Sequence, residues 1–165
     1  MAFWRAYHHL VWPTRHRAPL VTDAVEERLY PYLIKRAVGL DVYVYAINGW
    51  HDHVHLALAI PPKLAVADAV KDLKGASTHY INHELEHAGR FAWARGYGVF
   101  TYGERQRAIV EAYILHQKQH HADQTTNRWL EHATEHDEGP IVITPDLSSL
   151  HEEAANYDVL GEPLI

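Results

Sequence analysis

The chain of 165 residues contains no cysteine. Disulfide bonds, zinc–thiolate sites and cysteine nucleophiles are therefore excluded. No apolar run reaches the roughly 18 residues that a membrane-spanning helix needs, and the first residues lack the pattern of a signal peptide. These absences predict a cytoplasmic protein without a membrane partner.

Basic residues are missing from the last part of the chain. Residues 131–165 hold nine acidic residues and no Lys or Arg, whereas residues 1–130 hold all 15 Lys and Arg against 12 acids. A weakly basic body with an acidic tail is compatible with a nucleic-acid partner but does not require one. We therefore divide the chain into one domain, residues 1–130, and an acidic C-terminal extension, residues 131–165.

The order of predicted elements is that of a ferredoxin-like fold. Alternating apolar residues predict strands and the helical period predicts helices; the strands cover residues 3–12, 40–47, 51–60 and 91–102, and the helices cover residues 23–38, 64–85 and 104–121. This split βαβ order predicts an α+β, ferredoxin-like (RRM-like) antiparallel sheet with helices packed on one face.

Three local signals refine this pattern. Asn48-Gly49 is a strong hairpin signal and predicts the turn between the second and third strands. Pro31 lies inside the first predicted helix and predicts a kink or a split there. Gly75 lies inside the second predicted helix and marks a candidate bend or break.

Two histidines flank one apolar residue in the third strand. Side chains two apart in a strand point to the same face, roughly 7 Å apart. His53 and His55 are therefore expected side by side, with Val54 turned into the core. Two imidazoles in this position suit a common cation, but the stretch alone is equally compatible with a polar strand face bearing solvated histidines.

Two further sets of residues repeat every four positions. Tyr113 and Gln117 share one face of the last helix, where a core tyrosine at a helix–sheet contact is the plainer interpretation. The other set, at positions 79, 83 and 87, has a helical zinc-ligand spacing but lacks the glutamate that follows the first histidine in a zincin helix. A solvated face is favoured for that set, and a hydrolase built on it is a weaker alternative.

Three stretches in series carry a family resemblance. Residues 52–56 (DHVHL) contain a His-hydrophobic-His motif, residues 95–101 (RGYGVFT) contain a Gly-Tyr-Gly strand, and residues 113–121 (YILHQKQHH) place tyrosine and glutamine four apart. Together they resemble the HUH-superfamily single-tyrosine transposases. The most similar members are the small insertion-sequence transposases and the tyrosine transposases associated with repetitive extragenic palindromes (REPs).

The resemblance implies a role for each of these residues. His53, His55 and Gln117 would bind a divalent metal ion, Mg²⁺ or Mn²⁺, and Tyr113 would be the catalytic nucleophile, with His121 as a candidate helper. The enzyme would cleave and rejoin single-stranded DNA through a covalent 5′-phosphotyrosine and would recognise DNA hairpins at element ends. It would act as a nucleoid-associated homodimer in which one subunit's tyrosine helix can complete the other's metal site.

The same resemblance suggests where DNA would bind. The basic residues best placed for phosphate contacts are Arg15, Arg17, Lys74 and Arg95. Trp12 or Trp93 would offer stacking surfaces for bases. The alternative is a domesticated or inactive relative that acts as a non-catalytic hairpin-binding module, although such a module has no need of Tyr113 and Gln117 beside the two histidines.

Overall fold

A computed structural model of the chain describes residues 2–85 and 91–136. The main elements in chain order are β1 (Tyr7–Pro13), α1 (Asp23–Val38), β2 (Tyr43–Trp50), β3 (His53–Ala59), α2 (Val66–Glu84), β4 (Gly98–Tyr102), α3 (Arg107–Leu115) and α4 (Gln117–Ala122). The strands pair antiparallel in the order β2-β3-β1-β4. The predicted α+β, ferredoxin-like fold is confirmed. No helix in the described ranges is long and apolar enough to cross a membrane.

The main core lies between one face of the sheet and helices α1 and α2. Alternate residues of the two central strands enter it, because neighbouring side chains in a strand point to opposite faces. α1 meets them with a stripe of residues spaced by four, as an amphipathic helix does. The fully buried members from β1, β3 and α1 are Leu10, Trp12, Val54, Leu56, Leu58, Leu29, Leu33 and Ala37.

The opposite face of the sheet is also covered. Ile114 of α3 is fully buried against Ala46 of β2 and Ala57 of β3 in a second, smaller cluster. Every residue of β3 is therefore buried, on whichever face its side chain lies. The expected one-sided helix layer describes α1 and α2, while α3 adds a cover on the face that carries His53 and His55.

The prediction of a turn at Asn48-Gly49 is wrong. Both residues lie inside β2, and the two-residue turn between β2 and β3 is formed by His51 and Asp52. β2 therefore extends three residues beyond its predicted end. His53 begins β3 directly after the turn, which places the histidine motif at the rim of the sheet.

Asn48 and Gly49 serve the contact between strands and helix. A Cβ on Gly49 would lie 2.2 Å from the carbonyl oxygen of His53, so only glycine fits. The side chain of Asn48 donates from Nδ2 to the carbonyl oxygen of Leu115 at 2.7 Å, which fastens the end of α3 to β2. The Asn-Gly pair is thus explained by close packing.

Pro31 does not split α1, and Gly75 does not break α2. Instead, the last predicted helix divides, since α3 ends at Leu115 and α4 begins at Gln117. His116 lies between them and donates to the carbonyl oxygen of Ala112 from its backbone N–H at 3.0 Å and from Nδ1 at 2.7 Å. The backbone of His116 (φ −96°, ψ 17°) leaves the helical conformation, and α3 ends there.

Two glycine substitutions test this packing. Gly49→Ala should lower the free energy of unfolding by roughly 2 kcal/mol, because the added methyl group meets the backbone of β3. Gly75→Ala is the matched control, since nothing lies within 4 Å of a Cβ there. It should raise the free energy of unfolding by roughly 0.5–1 kcal/mol through the helix preference of alanine. Urea denaturation measures both values, and an unchanged Gly49→Ala would contradict the packing.

Candidate active site

His53 and His55 lie side by side on the sheet face that α3 covers. Their rings are edge to face with centroids 4.9 Å apart, and their exposed fractions are 2% and 0%. Val54 is turned into the main core between them. Solvated histidines are therefore excluded in favour of a buried imidazole pair.

Each imidazole is held in place through its Nδ1 atom. His53 donates to Oδ1 of Asp52 at 2.6 Å, and Nδ1 of His55 lies 2.7 Å from Nε2 of His9. Arg17 in turn bonds the other oxygen of Asp52 at 3.2 Å. Since Nδ1 is used on both rings, the two Nε2 atoms both face the carboxylate of Glu131. Metal-binding histidines are typically oriented in this way by a second layer of partners.

Tyr113 and Gln117 reach the same point from the other side. The break at His116 leaves them on one stripe, and the Tyr113 ring lies edge to face with His55 at a centroid distance of 6.3 Å. Gln117 is fully buried. Its Oε1 atom has no hydrogen-bond partner among the described residues. The four residues that the resemblance singled out thus meet within one chain.

Glu131 lies at the centre of this cluster and was missed by the sequence analysis. Its Oε2 atom accepts from Nε2 of His55 at 3.0 Å and lies 3.2 Å from Nε2 of His53. Its Oε1 atom accepts from the Tyr113 hydroxyl at 2.5 Å and from Nε2 of Gln117 at 3.3 Å. The residue is the first of the predicted acidic extension, in which the sequence analysis named no site residue.

The segment that carries Glu131 folds back against β4. Tyr97 forms a bridge with Thr134, and a Cβ on Gly96 would lie 1.9 Å from the carbonyl oxygen of Thr134. At Gly98 a Cβ would lie 2.0 Å from the carbonyl oxygen of His132. The Gly-Tyr-Gly motif therefore gives the clearance that this backbone crossing needs, and it is the one sequence signal of a close approach.

Burial and hydrogen bonds set the charges of the site. Burial raises the pKa of Glu131, but its bonds to His53 and His55 outweigh that effect and leave the pKa well below its usual range. Burial lowers the pKa of His55 and lowers that of His9 to about 3. Burial and the bond to Glu131 raise the pKa of Tyr113 to about 12. The site at neutral pH thus combines a carboxylate with a protonated phenol.

The donor set fits a divalent metal ion. Ligand atoms of His53, His55 and Glu131 all lie within 4.8 Å of one another. The buried Oε1 of Gln117 is an acceptor without a donor, which is costly in a protein interior unless a cation or a donor satisfies it. Two imidazole nitrogens with carboxylate and amide oxygens form a mixed set without thiolate. These residues can therefore bind a metal ion.

The four basic residues predicted to bind DNA have different surroundings. Arg15 and Arg17 lie in an exposed turn after β1, at the histidine end of the sheet, and Arg95 is exposed before β4. Lys74 is different, because its Nζ atom donates to the carbonyl oxygens of Arg95 and Gly96 at 3.0 and 2.9 Å. Burial lowers its pKa to about 8. Lys74 therefore stabilises the backbone at Arg95 and Gly96, just before β4.

Two other sequence hypotheses do not describe a site. Trp12 and Trp93 are buried, with rings edge to face at 6.0 Å, so the prediction that they offer stacking surfaces is wrong. His79 and His83 lie together on α2 with ring centroids 4.1 Å apart, while His87 lies outside the described residues. Within the described ranges, the group of three residues that can hold a metal is at β3.

Comparisons with known proteins agree on one family. The family model described as "Transposase IS200 like" matches residues 2–117. The ISDra2 transposase TnpA of Deinococcus radiodurans is 31% identical over 112 residues, which span 65% of this chain and 80% of that protein. The IS200 element transposase of Salmonella typhimurium is 28% identical over 119 residues, which span 69% of this chain and 78% of its own length.

Two solved structures share the fold. A chain described as a transposase from Deinococcus radiodurans has a TM-score of 0.58 and 30% identity, covering 71% of this chain and 95% of its own. A REP-associated tyrosine transposase bound to a REP hairpin has a TM-score of 0.57 and 14% identity, covering 73% and 74%. The family match ends at Gln117, so Glu131 comes from a segment beyond it.

A charge-removing substitution tests the metal-binding set. Glu131→Gln should weaken Mn²⁺ binding at least about tenfold, because the carboxylate lies within reach of both imidazoles. Glu135→Gln is the matched control, since this exposed residue accepts only from the backbone of Arg95 at 3.3 Å among its described contacts. Isothermal titration calorimetry gives both affinities. An unchanged or stronger affinity in Glu131→Gln would show that this carboxylate is not a ligand.

Proposed function

Because the chain belongs to the IS200-like transposase family, we propose that it cleaves and rejoins single-stranded DNA through a covalent 5′-phosphotyrosine on Tyr113. One observation carries the proposal: the hydroxyl of Tyr113, the amide of Gln117 and the Nε2 atoms of His53 and His55 all contact the carboxylate of Glu131. A nucleophile beside a metal-binding set is what phosphoryl transfer requires.

The chemistry is a transesterification: one phosphodiester bond replaces another, and no bond is hydrolysed. The phenolic oxygen of Tyr113 bonds to the scissile phosphorus, the bond from phosphorus to the 3′ oxygen breaks, and the phenol proton is balanced by the new 3′-hydroxyl. Attack by a 3′-hydroxyl in the reverse direction rejoins the strands. With a pKa of about 12, the phenol is protonated at neutral pH. Its hydrogen bond to Glu131 fixes the direction of the attacking oxygen.

The metal ion in this proposal is Mg²⁺ or Mn²⁺, held by His53, His55 and Gln117 with Glu131 in reach. Such mixed nitrogen and oxygen ligation suits these ions better than a closed zinc site. When bound, the ion would polarise the scissile phosphate and offset charge on the leaving oxygen. Asp52 and His9 would keep the two imidazoles oriented toward it.

Hairpin DNA and a second copy of the chain are the proposed partners. The relative of the same fold that is described as bound to a REP hairpin supports hairpin recognition at element ends. The homodimer rests on the family resemblance alone. Since Tyr113 already meets His55 within one chain, we propose that each subunit uses its own tyrosine, whether or not it dimerises.

A non-catalytic hairpin-binding module is the second candidate function. One observation favours it: the carboxylate of Glu131 already takes the hydrogen bonds of both histidines and of Tyr113. A protein that never cleaves would keep this arrangement with DNA bound. The two functions differ in whether a covalent adduct forms.

Removal of the phenol oxygen tests the catalytic proposal. A panel of hairpin oligonucleotides with single-stranded flanks, incubated with Mn²⁺ or Mg²⁺, should yield a covalent adduct that survives denaturing electrophoresis. Tyr113→Phe should abolish the adduct completely, because phenylalanine has no nucleophile. Tyr32→Phe on α1, across the sheet, is the control and should retain it. An adduct in Tyr113→Phe would refute the assignment, and none in the wild type would favour the binding module.

Mixing two inactive variants tests which chain supplies the tyrosine. Tyr113→Phe and His55→Ala each damage a different half of the site. If the site is shared between subunits, each mixed dimer holds one intact site of two, and about half of the dimers in an equal mixture are mixed. The mixture would then recover up to about a quarter of the wild-type adduct. A site built within one chain recovers none, because every chain carries one damaged half. We expect no recovery, measured by the same electrophoresis after the two proteins are unfolded and refolded together.

Two basic residues should respond differently to substitution. Arg15→Ala should weaken hairpin binding and reduce the slope of log affinity against log salt by about one, as loss of a phosphate contact does, with no change in unfolding. Lys74→Met should lower the free energy of unfolding by roughly 1–3 kcal/mol, because two carbonyl groups lose a charged donor. Fluorescence anisotropy and urea denaturation separate the two effects. An unchanged salt slope in Arg15→Ala would remove it from the interface.

A further inference from the structure

A cavity lies on the same face of the sheet as the histidines, at the other end of β3. It has a volume of about 430 Å³ and is formed by the N-terminal segment, the strand ends and the start of α3. Half of its ten lining residues are aromatic, namely Phe3, Trp4, Tyr7, Tyr43 and Tyr45. The volume is within the range of pockets that bind small ligands.

The aromatic walls combine a fixed floor with an open rim. Tyr7 forms the floor, stacked on Tyr102 and edge to face with Tyr45, each at a centroid distance of 5.8 Å. Trp4 and Tyr43 form part of the rim, with ring centroids 6.3 Å apart, and Tyr43 is 62% exposed. A contiguous patch of exposed aromatic rings with polar residues at its rim marks a binding site more often than scattered exposed rings do.

Two arginines and one glutamate lie around the rings. The Arg107 guanidinium lies over the Tyr45 ring, 4.1 Å from its centroid, and also pairs with Glu104 at 3.2 Å. Arg5 lies 3.7 Å from Glu104, and both side chains are more than half exposed. The rim therefore presents hydrogen-bond donors beside an acceptor, which matches the edge of a nucleobase better than a phosphate group.

The cavity is aligned with the candidate active site. Ala59 lines it and lies four residues after His55 on the same face, roughly 13 Å away along the strand. α3 begins at Arg107 in the cavity wall and reaches Tyr113 six residues later, a rise of roughly 9 Å. A strand stacked at duplex spacing covers this distance in about four nucleotides.

We propose that this cavity, the aromatic pocket, binds an unpaired base of the single-stranded DNA that is cut at Tyr113. The base stacks on Tyr43 and Trp4 while its edge meets Arg5 and Glu104. Aromatic stacking of this kind accepts any base, because every base has a π face. The inference rests on the proposed function, since it takes its ligand from the strand that the active site would process.

Removal of the rim aromatics tests the pocket. Tyr43→Ala and Trp4→Ala are made in a Tyr113→Phe background, so that binding is measured without adduct formation. The probe is a fluorescein-labelled, mixed-sequence single-stranded DNA 12-mer, followed by anisotropy. Each substitution should weaken binding about tenfold, the loss expected for one stacked base. Tyr32→Ala, a partly exposed tyrosine on α1 across the sheet, is the matched control and should bind as before.

Photocrosslinking locates the bound base independently. The same 12-mer with 5-iododeoxyuridine at successive positions should crosslink to the peptide that contains Trp4 or the peptide that contains Tyr43. Three results would each overturn the pocket. They are an affinity in both variants equal to that of the Tyr113→Phe parent, crosslinks confined to other segments, and no measurable binding of the 12-mer to that parent. Failure of the proposed function is read separately, as a wild-type protein that binds through the pocket but forms no adduct.

Discussion

Burial of β3 on both faces is the constraint on which the rest of the structure depends. One face of the strand joins Val54, Leu56 and Leu58 to the main core. The other face carries His53 and His55. Their burial requires a packed layer that excludes water and supplies partners for the ring nitrogens. α3 gives that cover by burying Ile114 against Ala57, and in doing so it brings Tyr113 to the site. Fold and site are thus stabilised by one strand.

The polar interior of the site is compensated almost atom by atom. Buried polar groups cost free energy unless they are paired, and here the Nδ1 atoms bond Asp52 and His9 while the Nε2 atoms bond Glu131. The exceptions among the described residues of the site are the Nδ1 atom of His9 and the Oε1 atom of Gln117. An acceptor left unpaired beside two imidazoles and a carboxylate indicates a site shaped for a cation.

Prediction from sequence succeeded where the determinant is local and periodic. Alternation in β3 paired His53 with His55, and the four-residue spacing put Tyr113 and Gln117 on one stripe. It failed where the determinant is contact between distant segments. The Asn-Gly pair has the composition of a turn, yet Gly49 is needed because β3 approaches closely. Tryptophan is a residue type that often stacks on bases, yet Trp12 is buried in the core.

The sequence by itself determined the order of elements, the family and the residues of three motifs, since strand and helix periods and motif spacings are properties of the chain as written. Only the tertiary structure decided that Glu131 joins them. No spacing links position 131 to position 53 or 55, because the connection runs through a fold-back against β4. That approach depends on Gly96 and Gly98, where any side chain would collide with the returning backbone.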